Sequence, residues 1–199
     1  MNIQKTSFLL LAAVLACALP ALGAAAPASS TLTQPRASPH DTVSGSRIGD
    51  ARAGPLITII YGRPYAKGRK IFGDGTDYLV PFGKVWRMGS DEATTLITPK
   101  DMVIGTVTIP AGVYTLDMVP MKDGPSKFIV NKSIGRWGIP YDEKAQAPNE
   151  FPRMDMKAEA IDKPVEEFTI TIENNLAGVG VIKMQWETTL YSIAFTLKP

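Results

Sequence analysis

The sequence predicts an all-β fold, an antiparallel β-sandwich or jelly-roll-like barrel of nine or ten strands with at most one short helix. Three observations carry this. Through the last third of the chain apolar and polar residues alternate: Phe168, Ile170 and Ile172 oppose Thr169, Thr171 and Glu173, while Ile182, Met184 and Trp186 share a face, as do Tyr191, Ile193, Phe195 and Leu197. Alternation at period two puts one face of a strand in a core and the other in water. Glycine (17) and proline (16) recur every few residues and disfavour longer helices. Hydrophobic residues make up 45% of the chain, enough to fill a core.

Taken in order, residues 1–23 read as a secretory signal peptide: Lys5, then an apolar run from Phe8 to Leu22, then small residues ending at Gly23. That run is too short to span a bilayer and is broken by Pro20. Val14-Leu15-Ala16-Cys17 offers an alternative, a lipobox in which Cys17 is lipidated and forms the membrane attachment. Residues 24–47, rich in Ala, Ser, Thr and Pro, read as a tether, and a single β domain is expected over 48–199. Leu56–Tyr61 is apolar on both faces and is expected to be a central strand. Further strands are expected at Lys84–Met88, Thr94–Thr98, Met102–Ile109, Val113–Val119 and Lys127–Asn131. Pro110-Ala111-Gly112 supplies the turn chemistry for a hairpin between two of these. Only Asp142–Gln146 suits a turn of helix.

Familiar chemistries are mostly excluded. The single histidine, His40, lies in the expected tether, and the single cysteine, Cys17, in the targeting segment. A Ser-His-Asp triad, a thiol nucleophile and a His- or Cys-based zinc site therefore lack their parts. Twenty-one basic residues against 19 acidic ones give no basic surplus for nucleic acid. No cofactor fingerprint and no metal site are expected. Asp74 and Asp77 in a glycine-rich turn read as exposed, Met154-x-Met156 as core, and Asn131-Lys132-Ser133 as a glycosylation sequon.

What remains is cationic. In YGRPYAKGRKIFG (61–73), Arg63, Lys67, Arg69 and Lys70 are punctuated by Gly62, Pro64 and Gly68. In VPFGKVWRMGSDEATT (80–95), Lys84 and Arg87 are followed by Asp91, Glu92, Thr94 and Thr95. Guanidinium groups on glycine-rich turns suit a carboxylate or phosphate. The alternative is bracing, with Arg63, Arg69 and Arg87 pairing to Asp91, Glu92 or loop carbonyls.

These segments resemble the signature of a bacterial family known as domain of unknown function 2911. The resemblance runs through Tyr61, Arg63, Pro64, Gly68, Arg69, Phe72 and Gly73, then Pro81, Gly83, Trp86, Arg87, Gly89, Glu92 and Thr94. It departs at Ser90-Asp91, where Ala-Asn is commoner, and the extra carboxylate partly neutralises the cationic cluster. The resemblance implies an exported, β-rich domain and no particular substrate.

The sequence thus points to a non-catalytic binding module of the periplasm or cell envelope, for a small anionic or sugar-like, polyhydroxylated ligand. Arg63, Lys67, Arg69 and Arg87 are expected to contact it, with Glu92 and Thr94 orienting the arginines. The alternatives are an envelope carbohydrate hydrolase using Glu92 or Asp91, and an oligomeric scaffold protein built on an exposed strand edge.

Overall fold

The structure, a computed structural model, describes residues 42–174 and 178–199, all within one compact unit. The expected signal peptide, with Cys17, most of the expected tether and His40 lie outside the described residues. The tether was expected to run to residue 47, but β1 (Thr42–Arg47) is already a strand, paired antiparallel with β2 (Leu56–Gly62). Its polar TVSGSR sequence carries no apolar alternation because it is an edge strand whose backbone, not its side chains, joins the sheet.

Nine strands form one antiparallel sheet in the order β1-β2-β5-β8-β9-β10-β11-β6-β7, with a small parallel pair, β3 (Phe72–Gly73) and β4 (Val80–Pro81), beside it. The remaining strands are β5 (Ser90–Thr98), β6 (Met102–Ile104), β7 (Val107–Ile109), β8 (Gly112–Val119), β9 (Ser126–Asn131), β10 (Met154–Asn174) and β11 (Val179–Leu197). The sheet is open rather than closed into a barrel and folds over one hydrophobic core in a sandwich-like way. Strand β10 belongs to both halves: Met154–Met156 pair with β9, and Lys157 onward pairs with β11. Near its far end β10 returns to β1, where Asn174 Nδ2 donates to Arg47 O at 2.6 Å and Ser44 Oγ to Ile170 O.

Local expectations fare unevenly. The separate alternating segments of the last third are joined into the two long strands β10 and β11. Register shifts between Ala160, Val165 and Thr169 absorb Pro164, which has no N–H to give the ladder. Strand β11 curves so far that a Cβ on Gly180 would fall 2.2 Å from Phe195 Cζ. The expected hairpin at Pro110-Ala111-Gly112 does not form. Instead β7 turns back on β6 at Gly105, which adopts φ 58°, and β8 pairs with β5 and β9. A glycine with positive φ inside the run 102–109 makes a tighter reversal than the proline segment, which becomes the passage between the two halves. Lys84–Met88 is not a strand and keeps one backbone bridge, Trp86 to Met118. The helix is found at Glu143–Gln146, capped by Asp142.

The core centres on aromatic rings. Trp86 and Trp186 stack at 5.7 Å and 21°, and Tyr61, Phe72, Phe168 and Tyr191 meet the group edge-on. Met154 and Met156 are buried core residues.

The outer face of β8 and β9 holds a polar layer that alternation alone would assign to water. Asp117, fully buried, accepts from Arg136 Nη2, and Arg136 also donates to Thr115 Oγ1 at 3.3 Å. Asn131 is fully buried and donates to Gln146 O at 3.1 Å, so the amide of the sequon lies inside the fold. The covering strap is residues 132–153, tied down by Tyr141 donating to Glu150 and by Arg153 on Glu150 at 2.7 Å.

Burial pushes the Asp117 carboxyl up to about 7, with the Arg136 charge and hydrogen bond pulling the other way. The folded chain therefore keeps this proton at pH values where the unfolded chain, near 3.8, has lost it. The resulting stabilisation is full below about pH 4 and is lost as pH rises through about 7. In Asp117→Asn that linkage disappears: unfolding free energy in urea, measured from pH 4 to 8, is expected to fall less with pH than in the parent, by on the order of a few kcal/mol across the window. Equal slopes would refute it.

Candidate functional site

The two glycine-punctuated loops meet at the end of the β2–β5 ladder. After Ile60 pairs with Thr95, the next pair is Gly62 with Ser90, so β5 bulges outward through Asp91–Thr94. The contact there is backbone on backbone: a Cβ on Gly62 would sit 2.3 Å from Ser90 O, and one on Gly89 2.9 Å from Gly62 O. Two non-glycine residues flanking the Gly62–Ser90 contact adopt the left-handed region, Met88 at φ 55° and Asp91 at φ 62°. Asp adopts that conformation more readily than Met. Thr94, fully buried, holds the Met88 turn by donating from Oγ1 to Met88 O at 2.6 Å. The exposed side of the bulge pairs with the strap: Ala93 N donates to Arg136 O, Gly138 N donates to Asp91 O, and Glu92 bridges to Trp137.

The first loop is braced: Arg69 takes loop carbonyls, as one of the expected alternatives had it, whereas Arg63 is held by β10 rather than by Asp91 or Glu92. Arg63 reaches β10, donating from Nε to Phe168 O at 3.1 Å and from Nη2 to Thr169 Oγ1 at 2.8 Å, with Nη1 3.1 Å from Glu167 Oε2. Two backbone amides of the loop are held by carboxylates, Lys67 N by Glu166 at 2.7 Å and Ile71 N by Glu187 at 3.1 Å. Arg69 folds back on its own turn, donating to Ala66 O and Tyr65 O. The Lys67 side chain is exposed, 6.0 Å from the centre of the Tyr65 ring.

Between the loops lies a cleft of about 310 Å³. Its base is Trp86 and Trp186, its apolar walls include Pro64, Leu79 and Ile139, and its polar lining is Arg69, Lys84, Arg87, Ser90 and Asp91. Of the residues singled out in the sequence, Arg69 and Arg87 are brought together here, whereas Arg63, Lys67, Glu92 and Thr94 are not among the lining. Arg87 donates from Nε to Gly89 O at 3.1 Å, packs its stem on Gly138, and lies 5.9 Å from the centre of the Trp137 ring. Burial lowers the pKa of its guanidinium, opposed by the charges of Asp91 and Glu92. Three polar atoms of the lining residues are withdrawn from solvent without a protein hydrogen-bond partner: Arg87 Nη1, Ser90 Oγ and Asp91 Oδ2.

A larger groove, of about 810 Å³, opens beside the β6–β7 turn and the start of β10. Its lining is mostly apolar, and two of its charged residues are already paired, Arg153 with Glu150 and Asp155 with Lys127. The smaller cleft is the one that brings together arginines singled out in the sequence, Arg69 and Arg87. Ser90 was legible only as a departure from a motif, whereas Asp91 was also read as a bracing partner and as the acid of the hydrolase alternative. Asp74, in the glycine-rich turn, is exposed and pairs with Lys122 at 2.7 Å.

A family model described as Protein of unknown function (DUF2911) matches residues 38–195, and the chain belongs to that family. Neither the curated proteins nor the solved structures provide a match.

The bracing pattern separates two arginines. Arg63→Ala removes contacts to three consecutive residues of β10 and is expected to cost about 1–2 kcal/mol in urea unfolding, whereas Arg69→Ala, on an exposed turn, should cost under about 0.5 kcal/mol. The reverse order would show that the loop is anchored elsewhere.

Proposed function

We propose that this member of the DUF2911 family is a non-catalytic binding module for a small anionic or polyhydroxylated ligand, held in the cleft between the two loops. One observation carries the reading: Arg69, Lys84 and Arg87 line a single cleft whose lining holds one carboxylate, Asp91, so an anionic ligand there would meet a surplus of positive charge. The volume of the cleft, about 310 Å³, suits a small molecule.

The lining contains one carboxylate, Asp91, so the paired carboxyl groups of a glycoside hydrolase are not assembled there. A location in the cell envelope follows from the reading of residues 1–23 as an export signal.

Thermal denaturation against a panel of sugars, sugar acids, small carboxylates and phosphate tests the reading. A true ligand at about 100 times its Kd should add roughly 2.7 kcal/mol, a Tm rise of about 5–10 °C for a domain of this size. Lys84→Ala should weaken that ligand on the order of tenfold while leaving the unliganded Tm unchanged. A panel without any stabilising member would overturn the proposal.

A further inference from the structure

Resting on that binding reading, we infer that the ligand is a small carboxylic acid with a hydrocarbon body, an aryl or branched alkyl acid, which the cleft prefers to sugars and inorganic anions. Six large hydrophobic side chains are exposed among the described residues, and two of them, Leu79 at 45% and Ile139 at 47%, line this one cleft. A third, Trp137, has its ring centre 5.9 Å from the guanidinium of Arg87, another lining residue. Exposed apolar side chains scattered singly are ordinary on a protein surface, whereas several gathered at a concavity mark a binding surface. Pro64 and Val85 extend the apolar lining.

The positive charge open to a ligand belongs to Lys84 and Arg69, both exposed residues of the lining. Arg69 commits Nε and Nη2 to Ala66 O and Tyr65 O and keeps Nη1 for an incoming acceptor. Arg87 already faces the charges of Asp91 and Glu92. Its Nη1, with Ser90 Oγ and Asp91 Oδ2, is shut away from solvent, so these atoms offer nothing to the hydroxyls of a sugar. An inorganic anion would pair with the two cations and leave Leu79 and Ile139 as wet as before. A carboxylate on a hydrocarbon body meets both halves of the cleft, its charge on the cations and its carbon on the walls. The backbone beneath is set in advance: Leu79 N donates to Lys70 O at 3.0 Å, Gly83 N to Pro120 O at 2.8 Å and Gly138 N to Asp91 O at 3.2 Å. Walls and cations are therefore carried on fixed segments before a ligand arrives.

The test is calorimetric titration of the full chain with phenylacetate, acetate, glucuronate and sulfate, on the parent, Leu79→Ser and Ile139→Thr. The parent should bind phenylacetate at least about tenfold more tightly than any of the other three, as covering the apolar surface of one ring allows. Leu79→Ser should weaken phenylacetate about three- to tenfold, because a wall contact and no charge is lost. Both substituted positions are exposed, so an unchanged Tm is expected, and Ile139→Thr repeats the measurement on the other wall should Leu79→Ser lower it. Acetate, glucuronate or sulfate bound as tightly as phenylacetate, or folded wall variants that hold phenylacetate as the parent does, overturns this ligand class while leaving the binding module standing. A parent that does not bind phenylacetate overturns it as well, and the broader panel then decides the binding reading on its own.

Discussion

The architecture of the cleft depends on one steric fact, the direct seating of Gly62 on the backbone of Ser90. No side chain larger than hydrogen fits between the strands at that point. Because they close so tightly, the residues of β5 beyond the contact cannot continue the ladder and are driven outward as a bulge. On either side of the contact Met88 and Asp91 adopt the left-handed region, and the bulge hands its outer edge to the strap. Left-handed conformations at non-glycine residues cost roughly 1–3 kcal/mol each and persist only where the surroundings over-determine them. Here the surroundings are the Thr94 hydroxyl on Met88 O, the Gly138 amide on Asp91 O and the aromatic stack beneath.

The cationic turn that dominates the first motif is itself an anion-binding loop, and the anions are the protein's own. Glu166, Glu167 and Glu187, from β10 and β11, take up two of its amides and one of its guanidinium groups. Segments more than ninety positions apart in sequence are thereby locked together. This braces the turn, which contributes Arg69 to the cleft beside Lys84, Arg87, Ser90 and Asp91 of the second loop. The braced loop supports the other.

Much of the fold was legible because period-two alternation is a property of the backbone, independent of partners. Phe168, Ile170, Ile182 and Met184 face the core as their spacing required. Pairing was less legible. Pro110-Ala111-Gly112 has turn chemistry, yet it joins strands that do not pair, since local propensity says nothing about which edge a strand meets. The site was half legible. Charge density identified Arg69 and Arg87, and both take loop carbonyls, one of the expected kinds of brace; only for Arg63 did proximity in sequence mislead, because β10 supplies its carboxylate through a long-range contact. Asp117 left no recognisable signal. It occupies an outward position in a strand, and only the strap, fixed by Arg136 and Tyr141, turns that face into an interior.

The strap connects these parts. Arg136 enters the buried layer beside Asp117, its own carbonyl accepts from Ala93 in the bulge, and three residues later Ile139 walls the cleft. The cleft wall is therefore not a free loop end. One side is fixed by the buried hydrogen bond from Arg136 to Asp117, the other by the glycine contact, and the base by stacked indoles. A cleft walled by a mobile loop would keep its shape only when filled. Held between three rigid elements, this one keeps its shape and its cationic lining by itself.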